Sequence, residues 1–268
     1  SVIEGNKAIL GGGGACEAVV GALRQHMAKA KTAFLACTAI RKLAQDESNK
    51  PIFRGVGACE AVVAALKQHI LVGTIAEQAC GAIWSLTDKD DDNKVALARA
   101  GACEAVARAL QQHITLVKVA EEACGAITNL SVIEGNKAIL GGGGACEAAV
   151  GALQQHMAMA MAAYLACCAI TGLAENEHNM AVLCNVRACE TVVATLWQHM
   201  TLAPIAQQAC AAIRNLTVND NAKIILYRAG AQDAVAAALR QHGSIAQLAQ
   251  DACSVICNLG LGNGGDVV

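Results

Sequence analysis

The stretch GGGGACEA, Gly11–Ala18, decides how this chain folds, and it returns unchanged at Gly141–Ala148. Four glycines ahead of an apolar helical run fit either a loop that cradles phosphate or a turn between two helices. The same slot holds RGVGACEA from Arg54, ARAGACEA from Ala98, CNVRACET from Cys184 and YRAGAQDA from Tyr227. Only the last glycine recurs, and Ala and Cys follow it where a phosphate loop needs Lys and Ser or Thr. The slot reads as a turn in which a left-handed residue lets the chain leave one helix and enter the next.

Working outward, the slot is one mark of an internal repeat, the first thing to seek in a chain of this length. Cys16, Cys59, Cys103, Cys146 and Cys189 form one ladder of near-constant step, with Gln232 in its sixth place. A second runs through Cys37, Cys80, Cys124, Cys167, Cys210 and Cys253, and a third through His26, His69, His113, His156, His199 and His242. The step is 43 residues, lengthened once to 44 by an extra residue in the acidic turn DKDDDNK, Asp88–Lys94. Six units follow, about 1–43, 44–86, 87–130, 131–173, 174–216 and 217–259, read as a single domain with a flexible tail over 260–268. Residues 1–27 match 131–157 at all but two positions, Val19/Ala149 and Arg24/Gln154. Near-identity beside wide divergence points to a recent duplication or an engineered array.

Each unit reads as helical. In the second, Ser48–Gly57 is a short first helix and a turn, with Pro51 at an early helical position where a missing N–H costs little. Ala58–His69 follows, with Cys59, Val62, Val63 and Leu66 spaced as one buried stripe. Thr74–Leu86 is the third helix; Thr74 and Glu77 have capping-box spacing, and Ile75, Ala79, Ala82, Ile83 and Leu86 form its core side. No stretch alternates as a half-buried strand does.

Short helix, turn, second helix, long third helix ending in NL: with a period near 43, this resembles an armadillo repeat. The resemblance rests on the NK pairs at Asn6-Lys7, Asn49-Lys50, Asn93-Lys94 and Asn136-Lys137, and on the AGA turns at Ala100–Ala102 and Ala229–Ala231. It rests also on AITNL, AIRNL and VICNL ending at Leu130, Leu216 and Leu259. HEAT repeats share the period but usually lack the separate short first helix. The resemblance implies an all-α fold, a right-handed α-solenoid whose third helices line a concave groove. It also implies an extended peptide or partner protein in that groove, held by an Asn near the end of each third helix, with a Trp one turn earlier.

Here the Asn slot holds Lys42, Ser85, Asn129, Gly172, Asn215 and Asn258, and the Trp slot has no Trp. Trp84 falls one residue before its Asn slot and is expected to face elsewhere. Gln78, Glu122, Gln208 and Asp251 add mixed and acidic polarity on the groove side, which favours polar or basic partners. An Asn amide gives and accepts hydrogen bonds at once. It therefore suits either a bound peptide or the carbonyls of a neighbouring helix end, and both roles stand at this stage.

Composition narrows the function classes. The chain is 55% hydrophobic with only 2% aromatics, which suits close-packed aliphatic helices. Twenty basic against 22 acidic residues give no footprint for nucleic acid. Fourteen cysteines without a CxxC pair, in a long helical chain, read as reduced thiols in a cytoplasmic or nuclear protein. Met157–Ala174 carries no charge over a length that meets the minimum for a membrane span, but the matching stretch from Met27 carries four charges, so no membrane is expected. The ladder thiols lie on apolar stripes and read as core residues; a metal or redox role for the Cys and His ladders is the weaker alternative. Each ladder His ends a second helix, where a donor meets carbonyls left open by the helix; a row of six could also sense mild acid.

No catalytic motif is present, and His178 beside Glu175 and Glu177 reads as a solvated patch. The expectation is a non-catalytic binding scaffold without cofactor or metal. An engineered array with no evolved ligand is the alternative. Val2, Ile3, Ile9 and Leu10 have no preceding third helix to cover them, so self-association through the end repeats is a further expectation.

Overall fold

The computed structural model describes residues 2–260, with side chains from residue 5 onward. Helices and short connections account for these residues, and no strand occurs among them. By spatial contacts the chain divides into two units, Ser1–Ala145 and Cys146–Val268. In the first, α1 (Val2–Leu10), α2 (Cys16–His26) and α3 (Ala30–Leu43) form one repeat. Next come α4 (Asn49–Gly55), α5 (Ala58–Gln68) and α6 (Gly73–Thr87), and then α7 (Asp91–Arg99), α8 (Ala102–Gln112), α9 (Val117–Leu130) and α10 (Glu134–Gly142). The second unit contains α11 (Ala145–His156, whose first residue closes the first unit), α12 (Ala160–Leu173), α13 (Glu177–Asn185), α14 (Ala188–Gln198) and α15 (Ala203–Leu216). It ends with α16 (Asp220–Arg228), α17 (Ala231–His242) and α18 (Ala246–Gly260).

The turn slot behaves as its glycines require. The corner between first and second helices is left-handed in every repeat, at Gly14 (φ 86°), Gly57 (φ 73°), Gly101 (φ 83°), Gly144 (φ 83°), Arg187 (φ 67°) and Gly230 (φ 76°). Among these corner residues Arg187 alone carries a Cβ, in a conformation that costs an L-residue roughly 1–2 kcal/mol.

The third helices stack on one another, α3 on α6 and α6 on α9 in the first unit, α12 on α15 and α15 on α18 in the second. Their shared faces are closed by Ile40, Ile83 and Ile127 in one unit and by Ile170 and Ile213 in the other, all fully buried. Alanines such as Ala79, Ala82, Ala123 and Ala126 sit between them and let the helices approach closely. Each buried Leu or Ile contributes about 1.5–3 kcal/mol, so truncating Ile83 to Ala would cost about 2–5 kcal/mol once the cavity is included.

Polar ladders tie each repeat to the one before it. Three of the four NK asparagines are buried and close the end of the preceding third helix, whereas Asn6 is exposed: Asn49 Nδ2 donates to the Leu43 carbonyl (3.0 Å), Asn93 Nδ2 to Leu86 (3.0 Å) and Asn136 Nδ2 to Leu130 (3.1 Å). These would otherwise be orphan carbonyls at a helix C-terminus. The histidines do cap carbonyls, but in the previous repeat. His69 Nε2 meets the Met27 carbonyl (2.7 Å) and His113 Nε2 that of Ile70 (2.8 Å). In the second unit His199 Nε2 meets Met157 (2.6 Å) and His242 Nε2 meets Met200 (2.7 Å). A carbonyl only accepts, so Nε2 carries the proton in each.

Three expectations are corrected. Thr74 is not a helix cap: α6 begins at Gly73 with Val72 in the cap position and no side-chain cap bond. The turn that delivers the chain, in which the Val72 N–H donates to the His69 carbonyl, already sets the helix start. Side-chain caps occur instead at first helices, from Asp90, Asn176 and Asn219. Gly260 belongs to α18, not to a tail, and the rest of the expected tail, 261–268, lies outside the described residues. Cys253 is exposed although Cys210, in the same slot, is buried, because α18 covers α15 while no later described helix covers α18.

Ile9 and Leu10 are exposed, as expected; the side chains of Val2 and Ile3 lie outside the described residues. No single helix among the described residues is long and apolar enough to cross a membrane.

Candidate functional site

Polar residues of the third helices line furrows in both units. The first, about 360 Å³, is lined by Arg41, Ala44, Gln45, Trp84, Ser85, Asp88 and Glu122. Arg41 on α3 donates to Gln78 Oε1 on α6 (3.3 Å) and reaches past it to the Glu122 carboxylate on α9. It can do so because Gly81 lies beneath its path; a Cβ there would stand 2.7 Å from Arg41 Nε and 2.8 Å from Glu122 Oε2. Glu122 is buried, at 5% exposure. Burial pushes its carboxyl above the ordinary range, and the Arg41 guanidinium pulls against that shift.

Trp84 lies in this furrow and does not face away as the sequence suggested. Its ring rests on α9 at Gly125, where a Cβ would meet ring carbons at 2.4–2.8 Å. The slot one residue before the Asn slot faces the furrow elsewhere too, through Arg41, Arg214 and Cys257, and Gly125 leaves room for the indole against the next helix.

The Asn-slot residues divide by what surrounds them. Asn129 Nδ2 donates to the Trp84 carbonyl and to Thr87 Oγ1, both at 3.2 Å. Asn215 Nδ2 donates to the Thr171 carbonyl (3.0 Å), and Asn258 Nδ2 to Thr217 Oγ1 (2.9 Å). Each amide therefore closes the end of the preceding third helix, the second of the two roles open to it. All three remain half-buried on the third-helix face, as does Ser85; Lys42 is exposed. Gln78 is buried and also donates to Glu77 (2.8 Å), whereas Gln208 is half-buried on α15.

The second furrow, about 610 Å³, is lined by Arg214, Asn215, Val218, Gln250, Cys253, Ser254, Cys257 and Asn258. Arg214 repeats the part of Arg41: it donates to Asp251 Oδ1 (2.7 Å) and, through Nη2, to Asn215 Oδ1 (2.9 Å). Asp251 is 1% exposed. Arg41 and Arg214 escaped the sequence reading, although a signal existed. Their slot precedes the Asn slot by one residue and holds Arg41, Trp84, Thr128, Thr171, Arg214 and Cys257, while the acids Glu122 and Asp251 occupy a facing slot.

The remaining candidates carry no chemistry of their own. The ladder thiols from Cys16 to Cys210 are buried and spread through successive repeats. Burial raises the pKa of Cys37, Cys59, Cys103, Cys146 and Cys210 to about 12. Among the described residues no group of three or more Cys, His, Asp or Glu side chains is placed to hold a metal ion. His178 is exposed on the first turn of α13.

No protein-family model and no curated protein matches the chain. Solved structures do. An engineered protein is similar over 92% of this chain and 97% of its own, at 18% identity and a TM-score of 0.78. The designed armadillo repeat protein YIII(Dq)4CqI is similar over 91% of this chain and 99% of its own, at 20% identity and a TM-score of 0.74. A related design, YIII(Dq.V1)4CPAF, solved in complex with the peptide (KR)4, covers 91% and 98% at 20% identity and a TM-score of 0.72. Two of these neighbours are designed armadillo repeat proteins, and the likeness is one of fold. The chain thus has an all-α, armadillo-repeat solenoid fold.

Proposed function

We propose that the chain is a binding scaffold that takes an extended peptide or partner segment on its third-helix face. The observation that carries this reading is the first furrow, where a half-buried indole, a serine and the Asp88 carboxylate line one open hollow. An aromatic wall beside fixed polar groups is the usual make-up of a peptide site, and Trp is over-represented among residues that dominate binding energy. A designed armadillo protein of similar fold was solved in complex with the peptide (KR)4, which supports a peptide as the class of ligand. In this reading Ser85, Lys42, Gln78, Glu122 and Asn129 form the walls in the first unit, with Trp84 as the anchor, and Gln208, Asn215 and Asn258 line the third-helix face of the second unit.

The test is a peptide-library screen followed by titration of hits against the protein by calorimetry, which reads the wild type and the Trp84→Ala variant alike. Trp84→Ala should weaken binding by tenfold or more, about 1.4 kcal/mol or above, with helix content unchanged. A screen without any saturable hit, or hits indifferent to Trp84→Ala, sinks the proposal. That outcome would favour a second reading, an array with no evolved ligand, which the near-identity of residues 1–27 and 131–157 supports.

A further inference from the structure

The helix α18 carries two thiols that core packing does not explain. Cys253 and Cys257 are one helical turn apart and both are exposed, whereas Cys210, in the slot of Cys253, is buried. The Cys257 slot holds Arg41, Trp84, Thr128, Thr171 and Arg214 in the other repeats, so only the sixth repeat pairs two cysteines at these positions. Both line the second furrow. The opposite face of α18 is fixed in the core by Ala252, Val255 and Leu259, all buried. The turn that bears the thiols is also pinned on either side. Asp251, two residues before Cys253, accepts from Arg214 Nη1 at 2.7 Å, and Asn258, next to Cys257, donates to Thr217 Oγ1 at 2.9 Å.

Side chains at i and i+4 of an α-helix lie on one face, with Cβ atoms about 5–6 Å apart. That is too wide for a disulfide, whose Cβ atoms stand about 3.5–4.5 Å apart. It is close enough for both sulfurs to meet on one ion through bonds of about 2.3 Å, the length found for zinc. Among the described residues no third Cys, His, Asp or Glu joins such a cluster. A tetrahedral ion such as zinc wants four ligands and is poorly served by two. Thiolates select soft ions, and Cu(I) is the soft ion that two sulfurs in line can satisfy. We propose that Cys253 and Cys257 form a two-coordinate thiolate site for Cu(I). Each sulfur gives up its S–H proton and donates a lone pair to the ion. No electron is transferred, so loading releases the two thiol protons and binding strengthens as pH rises. Because α18 holds both side chains at one furrow before the ion arrives, little freedom is lost when the chelate closes.

Anaerobic titration of the reduced, whole chain with Cu(I), in competition with the chromogenic chelator bicinchoninate, tests this. The wild type should withdraw a single ion per chain without forming dimers, and X-ray absorption of the loaded protein should show two sulfur neighbours. Cys253→Ser and Cys257→Ser should each weaken binding by about a hundredfold or more, the scale of advantage that joining two ligands in one frame confers. Cys184→Ser, at a half-buried thiol that does not line the furrow, should bind as the wild type does. Both α18 thiols are exposed, so the serine variants should keep their helix content by circular dichroism; alanine replaces serine in any that does not. No ion withdrawn from the chelator, binding that survives either single substitution, zinc held as tightly as Cu(I), three or more sulfur neighbours, or an ion shared between two chains would overturn the proposal.

Discussion

Adding one methyl group at Gly125 should destabilise the protein, although helix propensity predicts the opposite. Gly125 is interior to α9, where Ala is favoured over Gly by about 1 kcal/mol. An ideal Cβ at that position stands 2.4 Å from Trp84 Cδ2 and 2.5 Å from Cε2, against an ordinary carbon contact of about 3.5–4.0 Å. The indole must retreat by more than an ångström or the helices must part, and overpacking of this kind costs about 1–3 kcal/mol. Gly21, interior to α2, supplies the control: it is exposed and nothing lies within 4 Å of its would-be Cβ. Gly21→Ala should therefore stabilise by up to about 1 kcal/mol. Both variants share the propensity gain, so the difference between them isolates the packing cost, about 1–3 kcal/mol in favour of Gly21→Ala. Urea unfolding by far-UV circular dichroism gives that difference, and Trp84 emission in a Trp197→Phe background gives its local cause, a shift toward more solvated indole in Gly125→Ala. Equal stabilisation by both substitutions with unchanged Trp84 emission would refute the close contact of indole and α9 backbone, and with it the geometry of the first furrow.

Other outcomes follow from the same packing. Acidification should separate wild type from Glu122→Gln: burial raises the folded-state pKa of Glu122, so the native state takes up its proton at higher pH than the unfolded chain and this site gains stability as pH falls. The Tm difference, wild type minus variant, should increase from pH 7 to pH 5; a constant difference contradicts the shift. Arg187→Gly should stabilise by about 0.5–1 kcal/mol, the strain of a left-handed arginine relieved less the chain entropy of glycine. The exposed 3.5 Å pair with Glu190 subtracts little, and a loss of stability in urea titration would contradict the estimate. Asn93→Ala removes a fully buried amide and leaves the Leu86 carbonyl unpaired, for a loss of about 1–3 kcal/mol in the same assay. A neutral result would mean that water or a neighbour replaces the bond.

The fold was largely legible because its cause is local and repeated. The turn slot, the apolar stripes of Cys59, Val62, Val63 and Leu66, and the period itself recur in the text of the chain, and repeats too small to bury their own apolar faces must stack. What could not be read depends on the neighbour. How closely the Trp84 ring can pack on the next helix is decided by the missing side chain at Gly125, a repeat later. The acceptor of His69 is a backbone carbonyl at Met27, which no residue type announces. Cys253 and Cys210 occupy one slot yet differ in exposure, because burial belongs to the helix that covers the slot rather than to the slot.

The same dependence bears on what the furrows can recognise. Their polar side chains divide into those held by the protein itself and those turned outward. Arg41 and Glu122, Arg214 and Asp251, and the Nδ2 groups of Asn129, Asn215 and Asn258 all have partners in the fold. A ligand that took those partners away would have to replace charge-assisted bonds that are already made and partly desolvated, and such exchanges yield little net affinity. Binding energy must therefore come from surface that folding leaves open: the indole of Trp84, the hydroxyl of Ser85, and the Asp88 carboxylate, which is 58% exposed and held only by a 4.0 Å pair with Lys50. An apolar or cationic side chain laid on the indole, with its backbone or charge toward Asp88, satisfies all three at once, since an aromatic face attracts cations as well as hydrocarbon. The internal ion pairs hold that surface rigid before the ligand arrives, which lowers the ordering cost of binding.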